Sequence, residues 1–483
     1  MLQKLEYKRE ANLIGGNWVG ADGGATIDVT DPATGEVIGT VPNSGRAETA
    51  RAIAAAAEAQ PAWAAATAAS RGEILHRLAA LIRANQEELA MLLTVEQGKP
   101  LAEARGEVGM SAAYVQWFAE EARRVYGDII PSPWAGRQIL VQKQPVGVVA
   151  AITPWNFPSS MIARKLGPAL AVGCAIVVKP ASQTPYSGLA WGVLCEKAGV
   201  PAGVVNILTG SAREIGTELC DNPLVRKISF TGSTEVGKKL VEQGAKTMKR
   251  MSMELGGNAP FLVFDDADID AAIEGAMIAK YRNSGQTCVC TNRFYVQAGV
   301  YDRFVEKLAA VAKKLKVGDG REKDVQQGPL IDAKAVAKVE QHIADAVKKG
   351  GKIVAGGKPH ALGGTFFEPT VIRDATQDMT VAREETFGPL SPVFRFEKEE
   401  QAVAYANDTE FGLACYFYTR DLARTFRVSQ ALRYGLVGVN SGLITTEVAP
   451  FGGVKESGMG REGSKYGVED YLDIKYVCIA GLG

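Results

Sequence analysis

The most constraining feature of this chain is a succession of short apolar runs separated by longer amphipathic stretches, which begins near residue 145. Each run has the length of one strand, and the clearest are 146–152, 175–178, 204–208, 227–230 and 260–264. Short buried strands that alternate with helices predict a parallel sheet covered by helices on both faces. A second alternating series after about residue 255 predicts a second α/β domain.

Three further segments predict local structure outside these series. Residues 137–143 and the tail around 471–479 are typical of strands that belong to neither domain. Ser70 and Glu73 stand at capping-box spacing, and apolar residues follow at helical intervals, so a helix is expected to begin at Ser70.

Composition excludes several classes of function. Lys+Arg equals Asp+Glu at 54 each, so nucleic acid and anionic membranes are not expected as partners. No stretch approaches the ~20 apolar residues of a membrane span, and the seven scattered cysteines are typical of a reducing, cytoplasmic protein. Because no histidine has metal-ligand spacing, no metal is expected; the histidines are His76, His342 and His360.

Two glycine-containing segments are candidates for phosphate binding. A GxGxxG pattern spans 458–463, but it follows polar residues instead of an apolar strand, so a glycine-rich loop is the better interpretation. In 230–237, an apolar strand runs into Gly232 and Ser233 and then into a helical pattern. Such a turn can present helix N–H groups to a pyrophosphate, although an ordinary strand-to-helix turn has the same pattern.

Three other segments carry candidate chemistry. Cys288 and Cys290 lie on a polar, glycine-containing loop, so either could be a nucleophile or an inert thiol. Glu254 ends an apolar segment beside two glycines and is either a general base or a surface carboxylate. Asn156 lies between two prolines after a strand, where parallel sheets bind ligands and where plain turns also occur.

Taken together, these motifs resemble the aldehyde dehydrogenase superfamily over nearly the whole chain. The motifs are TPWNFP (153–158), VVKPAS (177–182), FTGSTEVG (230–237), MELGGNAP (253–260), GQTCVC (285–290), EETFGP (384–389) and PFGGVKESGMGREG (450–463). Residues 152–173, 281–290 and 460–476 are in addition similar to succinate-semialdehyde dehydrogenases.

The resemblance implies an α/β fold with two parallel, Rossmann-like domains and a small β oligomerisation extension. The cofactor-binding domain would comprise 1–124 and 143–253, and the catalytic domain 254–446. The extension would comprise 125–142 and 463–483, with 447–462 as a connecting segment. Because an uncovered strand edge invites pairing, a homo-oligomer, dimer or tetramer, is expected.

The resemblance also implies a covalent mechanism. Cys288 would attack the aldehyde carbon, and the Asn156 amide with the Cys288 N–H would stabilise the resulting oxyanion. Glu254 would activate the water that releases the acid. Cys290 would be a neighbouring, non-nucleophilic thiol, and its reversible oxidation to a disulfide with Cys288 is a hypothesis.

For the cofactor, the resemblance implies contacts along the same crevice. Glu385 and Phe387 would hold the nicotinamide end, and Gly232 and Ser233 the pyrophosphate. The remaining cofactor contacts would be Thr153, Pro154, Trp155, Asn156, Lys179, Pro180, Ala181, Ser182 and Leu255. Since the Ser182 hydroxyl and the Lys179 ammonium can both serve a 2′-phosphate, NADP should be preferred and NAD usable.

For the substrate, the resemblance implies that Arg164 and Arg282 bind a remote carboxylate, with Thr445 where the subfamily often has serine. The expected reaction is oxidation of succinate semialdehyde to succinate. Glutarate semialdehyde or another short aldehyde is the alternative substrate. From other classes, a cysteine hydrolase or acyltransferase, or a non-catalytic descendant of the enzyme, would share the thiol.

Overall fold

The computed structural model describes residues 5–481. Residues 1–4 of the predicted cofactor-binding domain and residues 482–483 of the predicted extension lie outside the described residues. The strands are β1 (Asn12–Ile14), β2 (Asn17–Val19), β3 (Thr26–Thr30), β4 (Val37–Pro42), β5 (Asp128–Ile130), β6 (Arg137–Pro145), β7 (Val148–Ile152), β8 (Ala175–Lys179), β9 (Val205–Ile207), β10 (Val225–Thr231), β11 (Arg250–Glu254), β12 (Ala259–Val263), β13 (Thr291–Gln297), β14 (Lys352–Ala355), β15 (Thr370–Ala375), β16 (Leu390–Phe396), β17 (Ala414–Tyr418), β18 (Leu436–Val439), β19 (Gly458–Met459) and β20 (Leu472–Ala480).

Helices separate most of these strands. The α-helices are α1 (Arg46–Ala65), α2 (Ala68–Ala84), α3 (Gln86–Gln97), α4 (Leu101–Glu121), α5 (Ser160–Val172), α6 (Pro185–Ala198), α7 (Ala212–Asp221), α8 (Thr234–Ala245), α9 (Ile269–Tyr281), α10 (Tyr301–Ala312), α11 (Ala333–Lys348), α12 (Thr380–Arg383), α13 (Glu399–Asn407) and α14 (Leu422–Ala431). In the part of the chain that the structure describes, no helix combines the length and apolarity required to cross a membrane.

The first large sheet has a parallel centre in the order β11-β10-β7-β8-β9. β19 pairs antiparallel with β11 at one edge, and β1 and β2 extend the opposite edge. The chain runs outward from β7 through β8 and β9, and then crosses back to β10 on the other side of β7. This reversal creates a switch point between β7 and β10, where open α/β sheets form a ligand crevice at the carboxyl ends of the strands.

Alternating side chains of the central strands explain why helices cover both faces of this sheet. Val149 and Ala151 of β7 pack in the core formed with α2 to α6, whereas Val148 and Ala150 pack in the core with α1 and α7. Both pairs are fully or almost fully buried. A strand that is apolar at every position fits this two-sided burial.

The second large sheet has the order β14-β15-β16-β13-β12-β17-β18, and only β14 runs antiparallel. Phe261 and Val263 of β12 face a core with α9 and α10, and Leu262 and Phe264 face the opposite core. The predicted α/β class with two parallel sheets is confirmed by this arrangement. The domain boundaries remain a prediction.

A separate antiparallel sheet of β20, β6 and β5 forms a small extension. It contains both segments that the sequence marked as strands outside the two series, so that prediction is confirmed. Its surface exposes large apolar side chains, among them Ile129, Trp134, Ile474 and Tyr476. Two further strands, β3 and β4, form a hairpin of their own.

One local prediction was wrong. Helix α2 begins at Ala68 and not at Ser70, and its N-cap is Thr67. The Thr67 hydroxyl accepts a hydrogen bond from the Ser70 N–H at 3.1 Å, so Ser70 already lies in the first turn of the helix. Threonine, like serine, is a preferred N-cap residue, and here the Thr67 side chain is the one that accepts a hydrogen bond from a free N–H group of the first turn.

Candidate active site

Loops from both large sheets meet at one crevice. From the first sheet, 153–158 follow β7, Gly232 follows β10, and Glu254 ends β11. These three strands are neighbours with parallel register, since Ile152 pairs with Phe230 and Thr231 with Glu254. From the second sheet come the loop before β13, which carries Cys288, and the loop before β16, which carries Glu385 and Phe387.

These loops enclose a cavity of about 220 Å³. Most of the residues predicted for catalysis and cofactor binding line it. The lining residues are Pro154, Trp155, Asn156, Met161, Thr231, Gly232, Ser233, Glu254, Leu255, Gly256, Cys288, Glu385 and Phe387. The structure therefore brings together residues that lie up to 233 positions apart in the sequence, Pro154 and Phe387.

The two cysteines of the GQTCVC motif have different environments. Cys288 is partly exposed to the cavity, whereas Cys290 is buried and its thiol donates to the Lys280 carbonyl at 3.4 Å. Burial raises the pKa of the Cys288 thiol to about 12, and Glu385 and Glu254 act in the same direction while Arg164 opposes them. Both thiols are free, and their reversible oxidation as a pair stays a prediction.

The backbone around Cys288 packs closely against the MELGGNAP motif. A Cβ at Gly257 would lie 2.5 Å from the Cys288 carbonyl oxygen, so only glycine permits this approach. The Gly257 N–H in turn donates to Glu385 Oε1 at 3.1 Å. Gly257 thus joins the loops of Cys288 and Glu385.

Asn156 is buried, with its side-chain amide directed at the Cys288 loop. Its Nδ2 donates to the Gln286 carbonyl at 3.1 Å, which leaves the second hydrogen of that amide for another acceptor. Its backbone oxygen accepts from Asn283 Nδ2 at 2.9 Å and from Lys99 Nζ at 2.7 Å. These contacts fix the amide beside Cys288 in the same cavity wall.

Glu254 is buried, and its Oε2 has no hydrogen-bond partner among residues 5–481. Burial raises its pKa well above the ordinary value, and the nearby carboxylate of Glu462 raises it further, whereas Lys165 and Arg164 oppose the shift. Lys165 Nζ, itself buried, donates to Glu462 Oε1 at 2.5 Å. The arrangement is a carboxyl group of raised proton affinity with a second carboxylate and an ammonium behind it.

Sequence reasoning missed four of these buried charged residues. Glu462 lies in the glycine-rich segment that was assigned to a loop, and Lys165 lies on α5; no spacing rule connects either of them with Glu254. Lys99 and Glu107 form a fully buried pair at 2.6 Å. Glu107 also accepts from the backbone N–H groups of Ser159 and Ser160, so this pair holds the loop that follows Asn156.

The strand-to-helix turn at 230–237 has the predicted shape. β10 ends at Thr231, α8 begins at Thr234, and Ser233 is the N-cap of α8. A Cβ at Gly232 would lie 2.4 Å from the Phe230 ring, and one at Gly237 2.4 Å from Leu255. The glycines therefore allow the turn to pack closely against Phe230 and Leu255. Gly232 and Ser233 line the cavity, where the N–H groups of a helix start can bind an anion.

Residues at the end of β8 lie apart from the cavity described above. Lys179 is buried, and its ammonium donates to the Pro180 carbonyl at 3.0 Å but has no carboxylate partner in the described part of the chain. Burial lowers its pKa to about 8. Ala181 and Ser182 are partly exposed beside it, and the Thr153 N–H donates to the Lys179 carbonyl, which ties this end to the β7 loop.

A buried ammonium without a counter-ion can bind a negatively charged group. Lys179 and the helix start behind Gly232 thus provide two places for negative charge, the first apart from the cavity and the second in its wall. At the other end, Glu385 is a half-buried carboxyl group whose pKa burial raises to about 7. Phe387 packs edge-on against Trp155 with ring centroids 5.5 Å apart. The residues present therefore fit a nicotinamide dinucleotide.

On the far side of Cys288 lies a second, smaller cavity of about 10 Å³. Its walls include Arg164, Arg282, Thr445, Phe451 and Cys288. A volume of this size is about that of one water-sized sphere. Cys288 and Met161 line both cavities, so the thiol lies between the dinucleotide crevice and this pocket.

Arg164 is a buried cation without a full set of partners. Its guanidinium lies between the rings of Tyr114 and Phe451, with centroids 4.8 and 4.5 Å away. Nε and Nη1 have no hydrogen bond within residues 5–481, and Glu462 is 3.8 Å from Nη1. Since buried polar groups are normally paired, these N–H groups indicate a missing acceptor.

Arg282 and Thr445 complete the pocket at its outer side. Arg282 is partly exposed, lies over the Phe157 ring at 5.0 Å, and lines an adjoining cavity that Thr445 shares. The structure thus brings all three predicted substrate residues to one place. No group of three His, Cys, Asp or Glu side chains in 5–481 could hold a metal ion.

Comparison with known proteins identifies the family to which this chain belongs. A sequence model of the Aldehyde dehydrogenase family matches residues 18–477. The glutarate-semialdehyde dehydrogenase of Pseudomonas aeruginosa is 63% identical over 481 residues, 100% of both chains. The NADP(+)-type succinate-semialdehyde dehydrogenase of Escherichia coli is 61% identical over 471 residues, 98% of both chains.

A solved structure agrees with these relatives in fold. The succinate-semialdehyde dehydrogenase from Burkholderia pseudomallei superposes with a TM-score of 0.98, at 60% identity and with 98% of each chain covered. The match over almost the full length, together with the cavity that joins the motifs of Cys288, Glu254 and Asn156, leads to one conclusion: this chain belongs to the aldehyde dehydrogenase family and is an NAD(P)-dependent oxidoreductase.

Proposed function

We propose that the chain oxidises a short aldehyde with a carboxylate at its far end, and that succinate semialdehyde is the preferred substrate. The observation that carries this proposal is Arg164, a buried cation with unpaired N–H groups in a pocket that opens on Cys288. A carboxylate loses its hydration on entering such a pocket, which is costly unless a cation awaits it. Arginine suits the role because it keeps its proton and can bind both carboxylate oxygens.

In the first chemical stage, Cys288 is the nucleophile. Once deprotonated, its sulfur bonds to the aldehyde carbon and the carbonyl oxygen becomes an oxyanion. The unused hydrogen of Asn156 Nδ2 and the Cys288 N–H stabilise that oxygen, and loss of one such donor costs about 3 kcal/mol. The nicotinamide of NAD(P)⁺ supplies the oxidising power for the conversion of this adduct into a thioester.

In the second stage, Glu254 is the general base. Its raised pKa makes it a better base than an ordinary carboxylate, so it can take a proton from the water that attacks the thioester carbon. The carbon–sulfur bond then breaks, and the thiolate of Cys288 is regenerated with the release of a dicarboxylic acid. Glu462, behind Glu254, is the carboxylate that can receive the proton that Glu254 has taken, and the Lys165 ammonium donates to it.

For the cofactor, we propose NADP as the preferred form and NAD as a usable one. Lys179 and Ser182 offer an ammonium and a hydroxyl at the end of β8, where a strictly NAD-dependent enzyme commonly has a carboxylate that repels a 2′-phosphate. The Escherichia coli relative, which is named for NADP(+), supports this choice.

Glutarate semialdehyde is the second candidate, because it has the same two functional groups and one more methylene. Arg282 favours it, since this arginine lines the outer cavity where a longer acid would place its carboxylate. The name of the Pseudomonas aeruginosa relative favours it as well. The small volume beside Cys288 favours the shorter substrate.

The test is a comparison of kcat/KM for four aldehydes: succinate semialdehyde, glutarate semialdehyde, butyraldehyde and a short aminoaldehyde. The proposal predicts the highest value for succinate semialdehyde and the lowest for the aminoaldehyde, whose cation would meet Arg164 and Arg282. A higher value for glutarate semialdehyde would change the assigned chain length only. A value for butyraldehyde equal to those of both acids would overturn the proposal.

A further inference from the structure

The loop of residues 384–388 carries the two side chains assigned to the nicotinamide end of the cofactor. It connects α12 to β16, and Glu385 and Phe387 from this loop line the large cavity. Phe387 has φ of 56°, a left-handed conformation that is unfavourable for a residue with a bulky side chain. Such a conformation persists only where the surrounding structure holds it.

Helix α11 lies directly under this loop. A Cβ at Gly388 would be 2.5 Å from Val339 Cγ2, so the loop backbone touches the helix surface. His342, one turn further along α11, is 1% exposed. Its Nδ1 lies 3.0 Å from Thr386 Oγ1. Its Nε2 lies 3.4 Å from Glu384 Oε2.

The chemistry of these contacts is consistent with a neutral imidazole. Burial and the nearby Lys338 lower the pKa of His342, although Glu384 partly offsets this. With the hydrogen on Nε2 directed at Glu384, Nδ1 is left to accept the hydroxyl hydrogen of Thr386. Thr386 stands between Glu385 and Phe387, is itself 2% exposed, and so ties the loop to the helix at its midpoint.

We propose that His342 is a positioning residue for cofactor binding: through Thr386 it holds Glu385 and Phe387 in the cavity wall. The inference rests on the proposed role of Glu385 and Phe387 at the nicotinamide end. It assigns a function to the one buried histidine that the reaction itself does not use. His342 acts on the nicotinamide half of the site and not on the adenosine half, which lies at β8.

The experiment measures the affinity of three variants for NADPH and for adenosine 2′,5′-bisphosphate, a fragment that lacks the nicotinamide ribose. His342→Leu removes both contacts, His342→Asn keeps an amide near the place of Nδ1, and His342→Gln keeps one near the place of Nε2. We expect His342→Leu to weaken NADPH binding by about five- to tenfold, the usual effect of one hydrogen bond. Binding of the fragment should stay unchanged, and His342→Asn should restore NADPH affinity better than His342→Gln.

Thr386→Val is the matched partner variant, since it removes only the hydroxyl. It should reproduce the loss in His342→Leu, and the double variant should lose no more than either single change because both remove the same bond. Thr386→Val and His342→Asn also keep the proposal testable if His342→Leu fails to fold. Cofactor-independent hydrolysis of p-nitrophenyl acetate should stay at the wild-type rate in each variant, because Cys288 is untouched.

Four results would overturn the inference. Unchanged NADPH affinity in His342→Leu would show that the loop needs no such support. Equal weakening of NADPH and the fragment, or an equal loss of ester hydrolysis, would show a general structural role. Better restoration by His342→Gln would transfer the role to the Glu384 contact. The proposed cofactor site has its own test, since Glu385→Gln should weaken NADPH binding whatever happens at His342.

Discussion

At the scale of single residues, Cys288 shows how strongly reactivity depends on surroundings. Burial, with Glu385 and Glu254 close by, raises its pKa to about 12, so the resting thiol is almost entirely protonated at pH 7. A protonated thiol is a poor nucleophile, and its reaction requires a base or a nearby positive charge. Glu254, also of raised pKa and in the same cavity, is the candidate base.

The nucleophile can be tested with two matched substitutions. Cys288→Ala should abolish turnover and leave NADPH binding intact, because no other side chain can form the thioester. Cys290→Ala should keep most of the activity, since its sulfur is buried against the Lys280 carbonyl. Initial rates of NADPH formation and a fluorescence titration give both quantities. An inactive Cys290→Ala beside an active Cys288→Ala would reverse the assignment.

Lys179 leads to a prediction about pH. Because burial lowers its pKa to about 8, the ammonium is charged at pH 7 and loses its charge as pH rises through about 8. Since kcat/KM reports ionisations of the free enzyme, kcat/KM for NADP should fall about tenfold per pH unit above that value. NAD, which lacks the 2′-phosphate, should fall much less. A preference for NADP that stays constant from pH 7 to 9.5 would contradict this role of Lys179.

The sequence predicted the candidate site residues that lie in recognisable motifs. It did not predict the residues that only the tertiary fold brings close to the site. Cys288, Glu254 and Asn156 each lie in a motif whose residue type and flanks suggest chemistry. Glu462 and Lys165 approach Glu254 only because β19 pairs with β11 and α5 packs nearby. No periodic pattern in the sequence indicates that Glu462 and Lys165 approach Glu254.

At the scale of elements, apolar runs predicted strands well, because burial on both faces requires apolar residues at every position. β7, β8, β9, β10 and β12 all coincide with predicted runs. The three-residue strands β1 and β2 were not anticipated; they are too short for a periodic pattern and depend on pairing with each other and with β9. The start of α2 was misplaced because Thr67 and Ser70 are both capable caps.

The buried Lys99–Glu107 pair supports the start of α5 and the loop that carries Asn156. Lys99→Met or Glu107→Gln should destabilise the protein by about 3–5 kcal/mol, because each leaves an uncompensated buried partner. Lys99→Met with Glu107→Leu should recover part of that stability. It should not recover kcat, since the Asn156 carbonyl still lacks the ammonium and Ser159 still lacks its acceptor.

Two measurements separate these effects. Thermal inactivation half-lives report stability, and kcat with succinate semialdehyde reports the position of the Asn156 amide. A double variant with wild-type kcat would show that the pair contributes only to stability. A double variant that loses as much stability as the two single variants added together would show that the two residues are not energetically coupled.

At the scale of the whole molecule, the three-stranded extension carries the prediction of a homo-oligomer. Ile129 and Ile474 are 73% and 71% exposed on this sheet, which is unusual for large apolar side chains in one small area. Ile474→Lys should therefore dissociate the assembly into smaller species in light scattering coupled to gel filtration. Leu362→Lys, at an exposed position outside the extension, is the control. A wild-type monomer, or an unchanged mass for Ile474→Lys, would contradict this prediction.

The candidate active site lies between the two large sheets. The carboxyl edge of the first sheet supplies Asn156 and Glu254, and the second sheet supplies Cys288 on the loop before β13. The dinucleotide crevice lies on one side of that thiol and the pocket of Arg164 on the other. In the proposed function, oxidation takes place on one side of Cys288 and substrate recognition on the other.

The most direct test of this account is the ratio of kcat/KM for succinate semialdehyde to that for butyraldehyde in Arg164→Met. Removing one partner of a buried charge pair costs roughly 2–5 kcal/mol. The ratio should therefore fall by about thirty- to several-thousand-fold, while butyraldehyde, which has no carboxylate, loses little. Equal losses for both aldehydes would show that Arg164 only supports the fold around Cys288, and would contradict the assignment of a carboxylate-bearing substrate.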